Sequence, residues 1–326
     1  MKYIFFFIIT YFFILNKLIF ADQVDFNTWL ESFKKDAIKA GVSSSTIDEN
    51  LTNVKLIPRV VELDRKQPEF TLTLSQYLNK VINKKRINKG IGKIRENWDL
   101  LESISNQYNV QSRFIVALWG IETDYGRVSG GFPVIDALAT LSYDGRRREY
   151  FSKELINALK IIDGGHIEGK NMMGSWAGAM GQPQFMPSSF LGYAQDYNND
   201  GKKDIWTTKE DVLASAANYL SKLKWNKNQT WGREVSVTDE FNVDPTFLTL
   251  KHEKTLNDWQ ELGVRKLNGN NLPSSTKLKA SLIVIDDKNS FRYFLAYENF
   301  KKILRWNTSN FFAIAVGKLS DSITVR

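Results

Sequence analysis

The stretch SRFIVALWGIETDYG (112–126) decides how the rest of the chain is read. Ile115, Leu118, Trp119 and Ile121 surround a single charged residue, Glu122, on a very apolar helix that runs into Gly126. Burial against such neighbours raises a carboxyl pKa towards neutrality, which is what a general acid requires. The plainer alternative is a helix-end carboxylate paired with Arg127 or Arg146. Asp124, two residues on, points to a different side of the helix and makes a poor catalytic partner. Enzymes that use two carboxylates need both to flank the scissile bond, and no second acid is embedded in the same way.

Working outward, helical spacing predicts short helices from Phe26 to about Glu69 and two long helices over 70–110, broken near Gly90 and Gly92. Two more follow on either side of Gly145, and an amphipathic helix spans 209–225. The stretch LKASLIVIDDKNSFRYFLAY (278–297) is β-branched and aromatic on both sides of DDKN, which predicts a hairpin. A final helix is expected over 311–323. The fold class is therefore mainly α with some β: a helical catalytic region over 22–240, a small β-containing subdomain over 241–302, and a segment over 303–326 that returns to the helical core.

Between these helices lies GSWAGAMGQPQFMPSSFLGYAQDYNNDGKKDIW (174–206). Its glycines allow close backbone approach to a ligand, and Ser175, Gln182 and Gln184 offer hydroxyl and amide partners. Trp176, Phe185 and Met186 offer flat or soft surfaces for sugar rings. A helix crossing lined by small residues is the structural alternative. The arginine run GRRREYF (145–151) is either a solvated face or a fork for carboxylates. The run DYNNDGKKD places Asp196, Asn198 and Asp200 at positions 1, 3 and 5 of an EF-hand-like loop. Lys202 stands at position 7 and Asp204 at position 9. Thr207 occupies position 12, so closure falls to Glu210 or Asp211, and the expectation is a structural calcium ion.

Composition narrows the class. The 326 residues carry a net charge of +8, with lysine scattered along the chain. That distribution argues against a nucleic-acid footprint and favours attraction to an anionic surface. Cysteine is absent, which excludes a lipoprotein signal, a thiol nucleophile and disulfides. His166 and His252 have no metal-binding spacing. Lys2 and the apolar run over 3–15 read as a secretory signal over 1–21 ending at Ala21, with an inner-membrane anchor at 3–15 as the alternative. A soluble periplasmic protein is the expectation.

Taken together, ETDYG (122–126), VIDALATLSYDGRRREYF (134–151) and the 174–206 segment resemble the lytic murein transglycosylases of the membrane-bound B type, in a soluble form. The resemblance extends over about 25–320. It implies a lysozyme-like catalytic core that cleaves the β-1,4 bond between N-acetylmuramic acid and N-acetylglucosamine without water, leaving a 1,6-anhydromuramoyl end. It assigns Glu122 the role of acid and then base, with the substrate's acetamido group stabilising the intermediate and no cofactor in catalysis. It implies substrate contacts at Ser175, Gln184, Phe185, Arg146, Arg147, Tyr219 and Asn307. Trp306 and Phe312 stand where the family has tyrosines, so stacking is expected there without hydroxyl contacts. The expected partners are peptidoglycan glycan strands and cell-wall machinery, and the expected state is a monomer. The competing readings are a hydrolytic muramidase and a silent peptidoglycan-binding scaffold.

Overall fold

The computed structural model describes residues 25–66, 72–288 and 290–324. The signal or anchor read over 1–21 lies outside the described residues. Among the described residues no helix is long and apolar enough to cross a membrane.

The N-terminal third is helical: α1 (Phe26–Lys39), α2 (Ser44–Leu51), α3 (Pro58–Lys66), α4 (Leu74–Val81), α5 (Lys84–Glu96), α6 (Trp98–Tyr108) and α7 (Ser112–Thr123). The helices expected over 70–110 break at Ile82–Asn83 and at Asn97 instead of at Gly90 and Gly92, both of which lie inside α5. Gly90 makes room for another side chain: a Cβ there would stand 2.4 Å from the Tyr125 hydroxyl. The pair β1 (Phe132–Pro133) and β2 (Met173–Gly174) brackets α8 (Val134–Asp144) and α9 (Arg148–Asp163). Next come α10 (Pro187–Tyr193) and α11 (Lys209–Lys222).

The β subdomain comprises β3 (Gly232–Val237), β4 (Lys254–Thr255), α12 (Leu256–Glu261), β5 (Val264–Lys266), β6 (Lys279–Asp286) and β7 (Phe291–Ala296). These form an antiparallel sheet of order β4-β6-β7-β3-β5. The sheet thus begins at Gly232, earlier than the boundary drawn at 240, because β3 pairs with both β5 and β7. The chain returns to the helical body through α13 (Glu298–Trp306) and α14 (Asn310–Ser322).

Strand alternation gives the sheet two buried faces. Ala280, Leu282, Leu295 and Tyr297 join a small core with Leu256, Trp259 and Val264. Ile283, Ile285, Phe294 and Ala296 face the other way and belong to the main helical core. The sheet is therefore fused to the helices and not tethered beside them.

Helix α7 is the axis of that main core. Phe114 through Gly120 are all buried, and α5, α6, α11 and α14 pack around them. An all-round apolar helix has this destination. It ends in a left-handed turn in which Asp124, Tyr125 and Gly126 have φ of 51°, 61° and 80°. Two consecutive non-glycine residues in that region are costly, and each is held. Asp124 receives Arg127 Nε at 2.6 Å, with Lys89 and Arg86 close by. Tyr125 packs into the space left by Gly90 and Gly120 and donates to the Arg86 carbonyl at 2.9 Å.

Candidate active site

The turn at 124–126 leaves Glu122 in the last turn of α7, half-buried at the edge of the core. Its Oε1 accepts from Trp306 Nε1 at 2.7 Å, a contact between residues 184 apart in sequence. Burial pushes the carboxyl up to about 8, with the Trp306 N–H pulling the other way. Glu122 is thus protonated at neutral pH. Trp306 is held from behind by Tyr219 (ring centroids 4.7 Å apart) and Phe185 (5.1 Å). Tyr219 packs on Tyr193 and donates its hydroxyl to the Arg305 carbonyl at 2.5 Å, which fixes the backbone just before Trp306.

Tyr77, on α4, is coupled electrostatically to Glu122. Burial and the negative charge of Glu122 raise its phenol to about 12, against Arg86. Its ring rests on Phe311 at 5.9 Å. Tyr77 keeps its proton at any working pH and is available as a hydrogen-bond donor near the acid.

The glycine-rich segment is stapled to α7 by Gln182. Its Oε1 accepts from Trp119 Nε1 at 2.8 Å, its Nε2 donates to the Trp206 carbonyl at 2.8 Å, and its own carbonyl accepts from Thr123 Oγ1 at 2.9 Å. A tight loop follows β2, with Ser175 N donating to the Ala179 carbonyl at 2.8 Å. Ser175 Oγ accepts from Ala177 N and Ala179 N, leaving its own proton to donate. Gln184 has φ of 51° and donates through Nε2 to the Ser129 and Gly181 carbonyls, so Oε1 is the end left to accept.

Asp124 cannot serve as a second catalytic acid. Burial alone would raise it, but Arg127, Lys89 and Arg86 outweigh that and hold it below the usual carboxylate range, turned towards them. Burial and Trp306 alone perturb Glu122; no neighbouring carboxylate enters.

Several expected site residues take other places. Phe185 is only 2% exposed and supports Trp306 from beneath, so it has no free face for a sugar ring. Arg146 and Arg147 converge on buried Asp64 of α3, at 2.6 Å through Arg146 Nε and 2.7 Å through Arg147 Nη2. Burial would raise Asp64, but the two guanidinium groups pull it below its ordinary value. Arg148 instead donates to the Ser142 and Tyr143 carbonyls at the end of α8. No hydrogen bond joins this pair to Glu122; the two arginine side chains, 44% and 40% exposed, line a surface depression of about 520 Å³. Asn307 is exposed beside Trp306, its Oδ1 accepting from Ser309 N at 3.0 Å.

The 196–211 loop directs its carboxylates at backbone N–H groups. Asp196 accepts from Asp200 N and Gly201 N, Asp200 from Lys202 N, and Asp204 from Trp206 N and Thr207 N. Asp211, fully buried, closes the loop by accepting from Tyr197 N and Asp204 N, both at 2.7 Å. Lys202 is exposed and Glu210 sits in the first turn of α11. Among the described residues no group of three or more His, Asp or Glu side chains converges on one point. Each carboxylate has about four acceptor sites, so these backbone contacts leave oxygens with which a calcium ion is compatible.

Sequence reasoning did not single out Tyr77, Asp64 or the direct Trp306–Glu122 bond. Tyr77 follows a capping box, Thr73 with Gln76, which marks the helix start but not what the helix faces. Nothing local signals a contact spanning 184 residues.

A half-buried, proton-bearing glutamate on a core helix, without a second acid beside it and with a glycine-rich loop stapled to its helix, defines a lysozyme-like glycan-cleaving fold. The chain belongs to the Transglycosylase SLT domain family, which matches residues 25–321. It is 30% identical over 297 residues to membrane-bound lytic murein transglycosylase B of Escherichia coli (strain K12), covering 88% of this chain and 80% of that protein. SltB3 from Pseudomonas aeruginosa, solved in complex with NAG-NAM-pentapeptide, superposes with a TM-score of 0.87 at 39% identity, over 92% of this chain and 80% of that one. The Escherichia coli lytic transglycosylase Slt35, solved in complex with calcium, gives 0.78 at 29% identity over 90% and 92%. The chain is a peptidoglycan lytic transglycosylase with a lysozyme-like helical core.

Proposed function

We propose that Glu122 alone supplies both proton transfers in cleavage of the muramoyl–glucosaminyl β-1,4 bond. The observation that carries this is its geometry: a half-buried carboxyl whose Oε1 is held by a group that can only donate. The proton therefore resides on Oε2. Glu122 Oε2 gives it to the glycosidic oxygen as the C1–O bond breaks, and the acetamido group of the muramoyl unit stabilises the cationic carbon. The resulting carboxylate, its charge met by the Trp306 N–H, takes the proton from the C6 hydroxyl as the O6–C1 bond forms. Glu122 ends protonated and ready for another cycle, and no water is consumed.

Ser175, the Gln184 Oε1, Asn307 and Tyr77 are the polar groups proposed to orient the strand, and Trp306 to stack a ring. Tyr219 and Phe185 act through Trp306. Arg146 and Arg147 retain enough exposed surface to meet a stem-peptide carboxylate while holding Asp64. The enzyme is proposed to work as a monomer in the periplasm. No step is routed through calcium; Asp196, Asn198, Asp200 and Asp204, with Glu210 or Asp211, would hold such an ion as a structural tie for the loop, a reading supported by the likeness to a protein solved in complex with calcium.

The test is solubilisation of purified peptidoglycan by the protein and by Glu122→Gln, with strand binding measured in parallel. Loss of turnover with binding retained supports the reading. Equal turnover by both proteins overturns it.

A further inference from the structure

The turn joining β6 to β7 reaches across to the helix that carries Tyr77. Asp287 accepts from Ser75 N at 3.1 Å and from the Ser75 hydroxyl, residues 212 apart in sequence. Its side chain is 5% exposed, with Arg292 Nη1 at 3.6 Å. Arg292 reaches Ser75 Oγ at 3.2 Å and forks onto Glu234 of β3 at 2.8 and 2.9 Å. Lys318 of α14 meets the same Glu234 at 2.5 Å. Two acids and two bases, drawn from the β6–β7 turn, β7, β3 and α14, thus close into a neutral network whose free end grips α4.

That grip acts on a weak point. Helix α4 has eight residues, too few to be stable alone. Its capping box satisfies Gln76 N and Thr73 N, and Asp287 supplies the acceptor for Ser75 N in the same first turn. Two residues beyond Ser75 is Tyr77, resting on Phe311 at the start of α14, and α14 packs on the helix bearing Glu122.

We infer that Asp287 is a positioning residue: through Ser75, the β subdomain seats α4 and so places Tyr77 beside the catalytic acid. This rests on the reading of Glu122 as that acid. It gives the sheet a part in catalysis that its distance in sequence conceals.

The natural chain has no cysteine, so Ser75→Cys with Asp287→Cys creates a single engineered pair that can be closed by oxidised glutathione and opened by reductant. Misplacing α4 is expected to lower kcat/KM for Asp287→Ala and for the open dithiol roughly 10- to 100-fold, and closure to restore it to within about threefold of wild type. Adding Asp287→Ala to Tyr77→Ala is expected to cost nothing further, because the two act through one group. Full activity in the open dithiol or Asp287→Ala, no recovery on closure, or a multiplicative double mutant would each overturn the inference. Should Asp287→Ala fail to fold, the reversible crosslink decides alone. Wild type and Glu122→Gln are assayed alongside: equal turnover by those two sinks the reading of Glu122, whereas a dead Glu122→Gln beside an unaffected Asp287→Ala sinks only the latch.

Discussion

Replacing Trp306 by phenylalanine tests whether the indole N–H sets the acidity of Glu122. The substitution keeps an aromatic ring over Tyr219 and Phe185 and removes only the donor to Glu122 Oε1. A hydrogen bond to a charged group contributes about 1.5–3 kcal/mol, and one pKa unit corresponds to about 1.4 kcal/mol. The donor favours the carboxylate, so its loss raises the acid by roughly one to two units. The value for the intact protein is about 8. Tyr77, whose phenol the charge of Glu122 helps to raise, stays neutral; Arg86 and Lys89 are engaged by Asp124. The pH dependence of kcat/KM, measured on soluble muropeptide chains, therefore has a descending limb near pH 8 in wild type. In Trp306→Phe that limb moves upward by about one to two units while the maximum falls roughly tenfold, since a weaker acid donates less readily. Histidine at 306, whose neutral ring keeps one N–H, should bring the limb part of the way back. A limb that stays in place, or moves down, refutes the role given to the indole.

Glu122 should also carry a stability cost that pH exposes. Below about pH 4.5 it is neutral in the folded and unfolded states alike; above that the unfolded chain ionises first, so stability falls until about pH 8 and then levels off. Glu122→Gln is accordingly expected to be more stable than wild type by about 2–5 kcal/mol at pH 8.5 and equal to it near pH 4, read from urea unfolding at both pH values. Removing both partners of Asp64 with Arg146→Ala/Arg147→Ala strands a buried carboxylate and should cost about 3–5 kcal/mol by the same assay. Because those arginines hold Asp64 below its ordinary value, their contribution is present at neutral pH and disappears as Asp64 protonates in acid, so the deficit should shrink there.

The parts of the fold legible in the sequence are those governed by local pattern. Helix α7 and the β6–β7 hairpin follow from apolar runs and turn residues, and the structure places both where those runs predict. The glycines of α5 misled, because Gly90 answers a steric demand from Tyr125, thirty-five positions away, and not a local wish to break. Glu122 was legible since an acid inside FIVALWGIE is anomalous in any helix. Its partners were not. Trp306, Tyr77 and the Asp287 latch are joined to it by long-range packing, and periodicity carries no information about which surfaces meet. The aspartates of the 196–211 loop carry a metal-like spacing legible in the sequence, whereas their bonds to the loop's own backbone N–H groups were visible only in the structure.

The central claim is that one carboxyl, acting as acid and then as base, closes the product on itself without water. It is tested most directly by mass analysis of the muramoyl ends released from purified peptidoglycan. The account predicts ends one water lighter than the hydrolysed form, made by wild type and absent with Glu122→Gln. Reducing ends from wild type would contradict it, and would require a second carboxylate that this site does not place beside Glu122.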